Sequence, residues 1–539
     1  MASKVVVFKV NLSIVMLGIS SLSADVVANT MGNVAPSINK LAVNLTYPIV
    51  DTNQNLCFST SEPLEKCPSR GQNNVGQDAQ YQGFVASYTE NHDGTVTDNN
   101  TRLMWSQTVD INSDGKINIA DKLSYQEAQT YVMQLKLSGY NDWRLPTIKE
   151  LYSLILFDGE DPSGLNTQNS VSIIPFIDQS VFGFNSGDTQ SGERLIDSQY
   201  VTSTKYVSTT MNGDETVFGV NFIDGRIKGY GLKARDGGAK KFYVLAVRGN
   251  IDYGINAFID NGDQTVSDNA TGLIWQKSDS GMAMNWPVAL SYCENLTLAN
   301  RSDWRLPNVK ELQSIVDYSR SPDTTNSPAI NSIFNFSSIL NENDQFDYAN
   351  YWSSTTHKNL KNGRNATYIA FGRSLGFMQG RWIDVHGAGS QRSDPKVGNA
   401  SQYPTGHGPQ GDAIRINNYA RCVTGGQATF VQSPKFIQRR GKVFSSIQME
   451  GNGPHINKES PHTSNGLPSM GMSKLSHGSR PNRAMKPDDL FASMDTNNDG
   501  YLSPQELKGP LAKDFTKIDS NGDGLISKDE IPEPKNRSK

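Results

Sequence analysis

The stretch NDWRLPTIKEL, Asn141 to Leu151, returns as SDWRLPNVKEL, Ser302 to Leu312, 161 residues further on. Upstream of each, YTENHDGTVTDNNTRLMW (Tyr88 to Trp105) is matched by FIDNGDQTVSDNATGLIW (Phe258 to Trp275) at an offset of 170 residues. Matches in the same order at so long a period mean two globular copies of one domain in tandem, not a solenoid of short repeats. The offset shrinks by nine because the first copy holds nine extra residues between Trp105 and Tyr125.

Both copies read alike from this core outward. The Thr-Val-Thr-Asp and Leu-Met-Trp runs alternate like a strand pair around an Asn-rich turn. SYQEAQTYVMQLKL and NWPVALSYCENLTL place apolar residues at helical spacing, Ala289, Tyr292, Cys293 and Leu296 among them, and predict a first helix. Thr147 with Glu150, and Asn308 with Glu311, stand as N-cap and third helical residue, a capping box that opens a second helix behind Pro146 or Pro307. Gly-, Asn- and Ser-punctuated strands come next, to FYVLAVRG or NNYARCVTGG. The carboxylate-rich runs ENHDGTVTD and DNGDQTVSD miss metal-loop spacing and read as hairpin turns. Trp143 and Trp304 are expected in the core, with Asp142 or Asp303 pairing with Arg144 or Arg305 or capping a turn.

At 539 residues the chain is long enough for three or four folded units. Hydrophobic residues at 36%, with 47 Gly and 24 Pro, favour short strands and turns over long amphipathic helices, and so a β-rich or α+β protein. Fifty Lys and Arg against 54 Asp and Glu, a net charge of -4, is too balanced for wrapping a phosphate backbone, so nucleic acid is not an expected partner. Lys4 and Lys9 precede an apolar stretch that ends in small residues, with Val26 and Ala28 suited to cleavage; residues 1–28 read as a signal peptide and the mature chain as starting near Asn29. No later run approaches the roughly 18 apolar residues of a membrane helix, and no Cys near the cleavage point could take a lipid. The expected location is the periplasm, the cell surface or the medium.

Four cysteines, an even number in an oxidising compartment, favour two disulfides. Cys293 on the first helix of the second copy and Cys422 on its last strand align with Val132 and Ala246. They are absent from the first copy together, as a bonded pair would be; two free buried thiols are the alternative. Cys57 and Cys67 are read as closing a small Pro-containing loop in an N-terminal leader.

TVTDNNTRLMW, NDWRLPTIKEL, SDWRLPNVKEL, YWSST (Tyr351 to Thr355) and RCV, with the leader LCFSTSEPLEKCPSRGQNNVGQDAQYQG ahead of them, resemble the Lcl C-terminal domain family of bacterial exported proteins over roughly residues 50 to 426. The resemblance implies a C-type lectin-like fold, in which a disulfide ties the first helix to the last strand. Members implicated in adhesion to sulfated glycans imply recognition rather than catalysis. The first copy has YVTST (Tyr200 to Thr204) where the second has YWSST, and neither carries the Glu-Pro-Asn or Trp-Asn-Asp strings of calcium-dependent sugar sites.

A second chemistry lies at the C-terminus. DTNNDGYLSPQE and DSNGDGLISKDE both fit the twelve-residue EF-hand loop, which offers Ca2+ six to eight hard oxygens at about 2.4 Å from positions 1, 3, 5, 7, 9 and 12. In the first loop these are Asp495, Asn497, Asp499, the Tyr501 carbonyl, Ser503 and Glu506. In the second they are Asp519, Asn521, Asp523, the Leu525 carbonyl, Ser527 and Glu530. Gly500 and Gly524 take the sharp sixth position. Loop starts 24 residues apart, with Gly509-Pro510 between, suggest a compact module ordered by Ca2+ rather than an opening sensor. The nine-residue insertion creates a third candidate, DINSDGKINIAD, with Asp110, Asn112, Asp114, the Lys116 carbonyl, Asn118 and Asp121 at the same positions. A solvated Asn/Asp turn is the alternative there.

The expected architecture is therefore α+β: a signal peptide (1–28), a leader with the Cys57/Cys67 staple (29–80), lectin-like copies at 81–249 and 250–426, a disordered basic linker (427–486) and a small α-helical EF-hand pair (487–533). The linker reading rests on Gly, Ser, Pro and Asn enrichment with nine Lys and Arg between Gly425 and Lys486. No G-x-S-x-G, H-E-x-x-H, C-x-x-C or G-x-x-x-x-G-K string occurs. His407, His455, His462 and His477 fall in Gly/Pro-rich stretches where a preorganised site is hard to build. The chain is thus expected to be a non-catalytic, calcium-binding recognition protein for a glycan or cell-surface or matrix ligand. The rivals are a glycan-acting enzyme using a carboxylate pair, which needs no short motif, and a purely structural envelope or matrix component.

Overall fold

A computed structural model describes residues 45–164, 171–234, 236–436 and 438–444. All belong to the first of two units, Met1–Ile456 and Asn457–Lys539. The signal peptide at 1–28, the start of the leader, the linker beyond residue 444 and the EF-hand pair at 487–533 lie outside the described residues.

The fold is mostly β. Among the described residues there are four α-helices of five to ten residues: α1 Tyr125–Gln134, α2 Ile148–Tyr152, α3 Trp286–Glu294 and α4 Val309–Ser314. The helical share is smaller than an α+β assignment suggests, because most of each copy after its second helix is strand and turn. The capping boxes fall where the sequence puts them: Thr147 and Asn308 accept from the backbone N–H of Glu150 and Glu311, whose carboxylates accept in return from the cap N–H. The carboxylate-rich runs are hairpin turns, joining Tyr88–Glu90 to Thr95–Asp98 and Phe258–Asp260 to Thr265–Asp268.

The copies are not separate globules, as a tandem would be. A single antiparallel sheet runs through both, its strands side by side in the order Asn350–His357, Asn365–Ala370, Gln391–Pro395, Arg226–Gly231, Asp214–Asn221 and Gln199–Thr210. Three strands come from each copy, and they meet at the pair Gln391 and Ile227. This arrangement leaves three buried clusters. A shared core holds Ile148, Leu151, Ile155, Val309, Leu312 and Ile315, from α2, α4 and the turns that end them. A private core in the first copy gathers Ala128, Val132, Trp143, Leu145 and Phe242, and one in the second gathers Ala289, Cys293, Trp304, Leu306 and Trp352. The first helices thus seal each copy and the second helices seal the pair.

The leader wedges between the copies. Phe157 N–H donates to the Thr52 carbonyl at 2.6 Å, and the Gln54 amide exchanges hydrogen bonds with the Thr356 backbone at 2.8 and 2.9 Å. Residues 427–436 and 438–444, expected to belong to a disordered linker, are instead tied into the body. Thr429–Phe430 pairs with Tyr81–Gln82, and Lys442–Phe444 pairs with Val171–Ile173 in the first copy. Arg439, on the way, forms an ion pair with the Asp158 carboxylate, itself nearly buried, at 2.6 Å and donates to the carbonyls of Pro175 and Ile177. These partners lie far away in sequence, so the composition of the segment alone reads as tether.

Candidate functional site

The repeated motif is a structural joint. Its arginine makes a two-toothed ion pair with the glutamate six residues on: Arg144 with Glu150 and Arg305 with Glu311, the latter at 2.5 and 2.6 Å and buried. One carboxylate therefore caps the second helix and anchors the strand before it, which accounts for the Arg-to-Glu spacing. The expected pairing of Asp142 with Arg144 and of Asp303 with Arg305 is not what forms. Asp142 accepts from Arg248, and Asp303 from Arg301 and Thr424. The motif strand bridges to the last strand of its copy at Val247 or Val423, which brings residues 248 and 424 alongside the aspartates. Trp143 and Trp304 are in the core as expected.

Both disulfides form, Cys293–Cys422 with Cα atoms 5.4 Å apart and Cys57–Cys67 with 5.2 Å. Val132 and Ala246 are buried at the corresponding places in the first copy. Next to the leader staple, Lys396 is buried with its ammonium 4.3 Å from the Trp286 ring and 5.0 Å from the Phe58 ring. That contact fastens the leader loop to the second copy.

The Asp110 loop holds itself with its own side chains. Asp110 accepts from the N–H of Asp114 and Gly115, Asn112 from Asp114, and Asp114 from Lys116. Asp121, fully buried, accepts from Ile111 and Asn118, and Asn118 caps a 3-10 turn at Ile119–Asp121. The donor set is all oxygen and suits a hard divalent cation in chemistry. Among the described residues, however, no three His, Cys, Asp or Glu side chains are gathered closely enough to hold a metal ion. Closing three carboxylates of this loop on one ion thus requires them to move.

Charge concentrates at the seam between the copies, a feature without sequence signal because its members come from distant stretches. Asp161 pairs with Arg226 at 2.7 Å, Lys228 with Asp224 at 2.5 Å, and Asp412 takes both His386, at 2.9 Å, and Arg392. Buried His357 bonds the Asp224 carbonyl at 2.9 Å and Ser393 at 3.0 Å; burial, with Arg226 beside it, pushes its imidazole down to about 4. His386 is likewise pushed down, by burial and by Arg392. Within the leader, Asp78 accepts from Thr52 and, in the second copy, Thr355; burial, with Asp51 nearby, lifts it to about 8. The His407 loop is better ordered than its Gly and Pro content suggests: His407 and Asp412 exchange backbone hydrogen bonds at 2.8 Å, and Gly411 accepts from Phe377 N–H.

Two family copies in one β-rich body, followed by carboxylate loops, define the class. The chain belongs to the Lcl C-terminal domain family, which it matches over residues 94–248 and 264–383, just over half its length. Residues 488–511 and 512–531 match the EF hand, which points to calcium binding there. The Lcl family is associated with exported proteins, and among the described residues no helix is long and apolar enough to cross a membrane. No curated protein and no solved structure matches the chain.

Proposed function

We propose that this is an exported, calcium-binding recognition protein, whose two copies take a lectin-like form and bind a glycan or a cell-surface or matrix ligand without turning it over. The observation that carries the reading is the sheet shared by the copies. It fixes two sets of loops at one spacing, so weak contacts to a repetitive ligand reinforce each other without an ordering cost. The acidic side chains at the seam are engaged in ion pairs and the two buried histidines in hydrogen bonds, which favours a holding role for them over proton transfer.

At the C-terminus, Asp495, Asn497, Asp499, the Tyr501 carbonyl, Ser503 and Glu506 would hold one Ca2+, and Asp519, Asn521, Asp523, the Leu525 carbonyl, Ser527 and Glu530 another. Each ion, when bound, gathers one loop around a compact positive charge. Asp110, Asn112, Asp114, the Lys116 carbonyl, Asn118 and Asp121 are the third set. The protein acts in the periplasm, on the cell surface or in the medium.

An array of immobilised oligosaccharides, probed with the full chain with and without EDTA, tests the proposal. Retained, intact ligand is the expected result. Released, shortened ligand would instead mean a glycan-acting enzyme, and no retention on any surface would leave a structural envelope component.

A further inference from the structure

Lys149, on α2 of the first copy, reaches across to the segment that enters the second. Its Nζ donates to the Gly254 carbonyl at 3.1 Å, to the Ser314 carbonyl at 2.7 Å and to Oδ1 of Asn256 at 2.9 Å. Two of these acceptors are main-chain carbonyls. The third belongs to a primary amide, whose nitrogen can leave as ammonia without cutting the chain. On its far side that amide is already held, for Asn256 Nδ2 donates to Oδ2 of Asp268 at 2.8 Å. Asp268, buried at the end of the strand Thr265–Asp268, is fixed in turn by the N–H groups of Ala257 and Ala270, at 2.8 and 3.1 Å, and by the Thr271 hydroxyl at 2.9 Å. Hydrogen bonds thus link an amine, a carboxamide and a carboxylate in series, with the carboxylate on the nitrogen that would depart.

The surroundings suit an amine that must shed a proton before it can attack. Lys149 Nζ lies 5.6 Å from the centre of the buried Tyr47 ring, which meets buried Tyr253 edge to face at 4.6 Å. Burial pushes the amine down to about 8, while Asp268 and Asp317, the charged groups facing it, act the other way. Freshly folded chains at neutral pH therefore hold mostly the ammonium. The lysine stem lies close to Gly254, at φ +90°, where a Cβ would stand 3.1 Å from Lys149 Cβ. Asn256 is only half-buried, so ammonia has a way out. Lys310, the equivalent residue of the second copy, offers an internal comparison. Its hydrogen-bond partners among the described residues are the main-chain carbonyls of Asp51 and Ser153, so it faces no primary amide.

We propose that Lys149 and Asn256 join slowly as an isopeptide cross-link between the copies, with Asp268 carrying the proton. The ammonium first loses a proton to solvent. The neutral Nζ adds to Cγ of Asn256, and one of its two remaining protons passes by way of Asp268 to the amide nitrogen. The Cγ–Nδ2 bond breaks, ammonia leaves, and Nζ–Cγ is the new amide bond. Asp268 ends as it began, and no oxidant or reductant is consumed. The one N–H left on Nζ can still donate to the Ser314 carbonyl. This cross-link is independent of what ligand the protein binds.

Intact-mass spectrometry of the full chain, taken fresh and after days at pH 6 and pH 8, reads the reaction. The expected result is loss of the mass of one ammonia molecule, roughly fifty-fold faster at pH 8 than at pH 6. Tryptic digestion should then yield the peptide carrying Lys149 joined to the one carrying Asn256, with Lys310 unmodified. Lys149→Arg and Asn256→Ala, each matched to wild type by near-ultraviolet circular dichroism, should keep their full mass. Asp268→Asn, matched in the same way, should react about a hundredfold more slowly; a rate equal to wild type overturns the proton-carrying role. An unchanged wild-type mass overturns the cross-link. So does a loss that maps to Asn-Gly pairs such as Asn212-Gly213, where ring closure also expels ammonia.

Discussion

Lys149 and Lys310 make the same hydrogen bond in opposite directions across the two copies. Lys149 Nζ donates to the carbonyl of Ser314, the last residue of α4, at 2.7 Å, and Lys310 Nζ donates to the carbonyl of Ser153, the equivalent serine closing α2, at 2.9 Å. Each cation sits at the negative end of the other copy's short helix. The contact is self-complementary in the way a two-fold dimer interface is, although a single chain makes both halves.

The further partners differ: Lys149 also donates to the Gly254 carbonyl at 3.1 Å and Asn256 Oδ1 at 2.9 Å, whereas Lys310 also donates to the leader's Asp51 carbonyl at 3.0 Å, where burial pushes its amine down to about 7. Replacing Lys310 with Ala strands two buried carbonyls and should cost about 2–4 kcal/mol. Lys149→Ala, at a partly exposed site, should cost less. Chemical denaturation of the two variants checks the ranking; equal losses would contradict it.

The motif ion pairs should differ in the same sense. Glu311→Gln leaves the Arg305 guanidinium buried and uncompensated, and about 3–5 kcal/mol of stability should go. The Arg144 side chain is 33% exposed, so water can take over part of its charge after Glu150→Gln, and about 1–2 kcal/mol is expected. Urea midpoints measure both.

Removing the long-range disulfide with Cys293→Val and Cys422→Ala together should lower stability by about 3–5 kcal/mol while leaving the fold intact, because Val132 and Ala246 pack the same places in the first copy. The Cys57–Cys67 staple closes a short loop, and its removal should cost about 2–3 kcal/mol. Unfolding of the double variants with and without reductant is the measurement. Loss of native near-ultraviolet circular dichroism in the Val/Ala variant would refute the packing equivalence.

Two buried groups pull stability in opposite directions with pH. Asp78 binds its proton more tightly when folded, at about 8 against 3.8, so its contribution is complete below pH 3.8 and is lost as pH rises towards 8. His357 binds its proton less tightly when folded, at about 4 against 6.5, so stability is lost as pH falls from 6.5 to 4. Asp78→Asn keeps an acceptor for Thr52 and Thr355 and should flatten the decline on the alkaline side, by up to about 1.4 kcal/mol per pH unit. His357→Asn should flatten the acid side. Melting temperatures from pH 4 to 8 separate the two.

Calorimetric titration of the full chain with Ca2+ should give three sites. Glu506→Gln with Glu530→Gln should remove two of them, and Asp114→Ala one, with the loop otherwise retaining its buried Asp121 contacts. A stoichiometry of two, unchanged by Asp114→Ala, would make the Asp110–Asp121 stretch a self-capped turn.

What could be read from the residues alone was what lies close along the chain. The duplication, the first helices, and the capping boxes at Thr147 and Asn308 are local patterns, and the paired absence of Cys293 and Cys422 from the first copy carried their bond. Partner choice was harder. Asp142 and Arg144 are two residues apart, yet the strand Val247–Gly249, pairing alongside, brings Arg248 to the aspartate while the helix turn returns Glu150 to the arginine. The seam at Gln391 and Ile227 was illegible for the same reason: the sequence of either copy describes a sheet of three strands and does not say that its edge finds the other's. His407 was discounted on its glycines, although Gly411 is what lets that loop close.

Because each half donates three strands to the common sheet, neither can be discarded, exchanged or inserted elsewhere without laying bare the other's interior. A doubling of one module has thereby become a single body whose halves are no longer interchangeable parts.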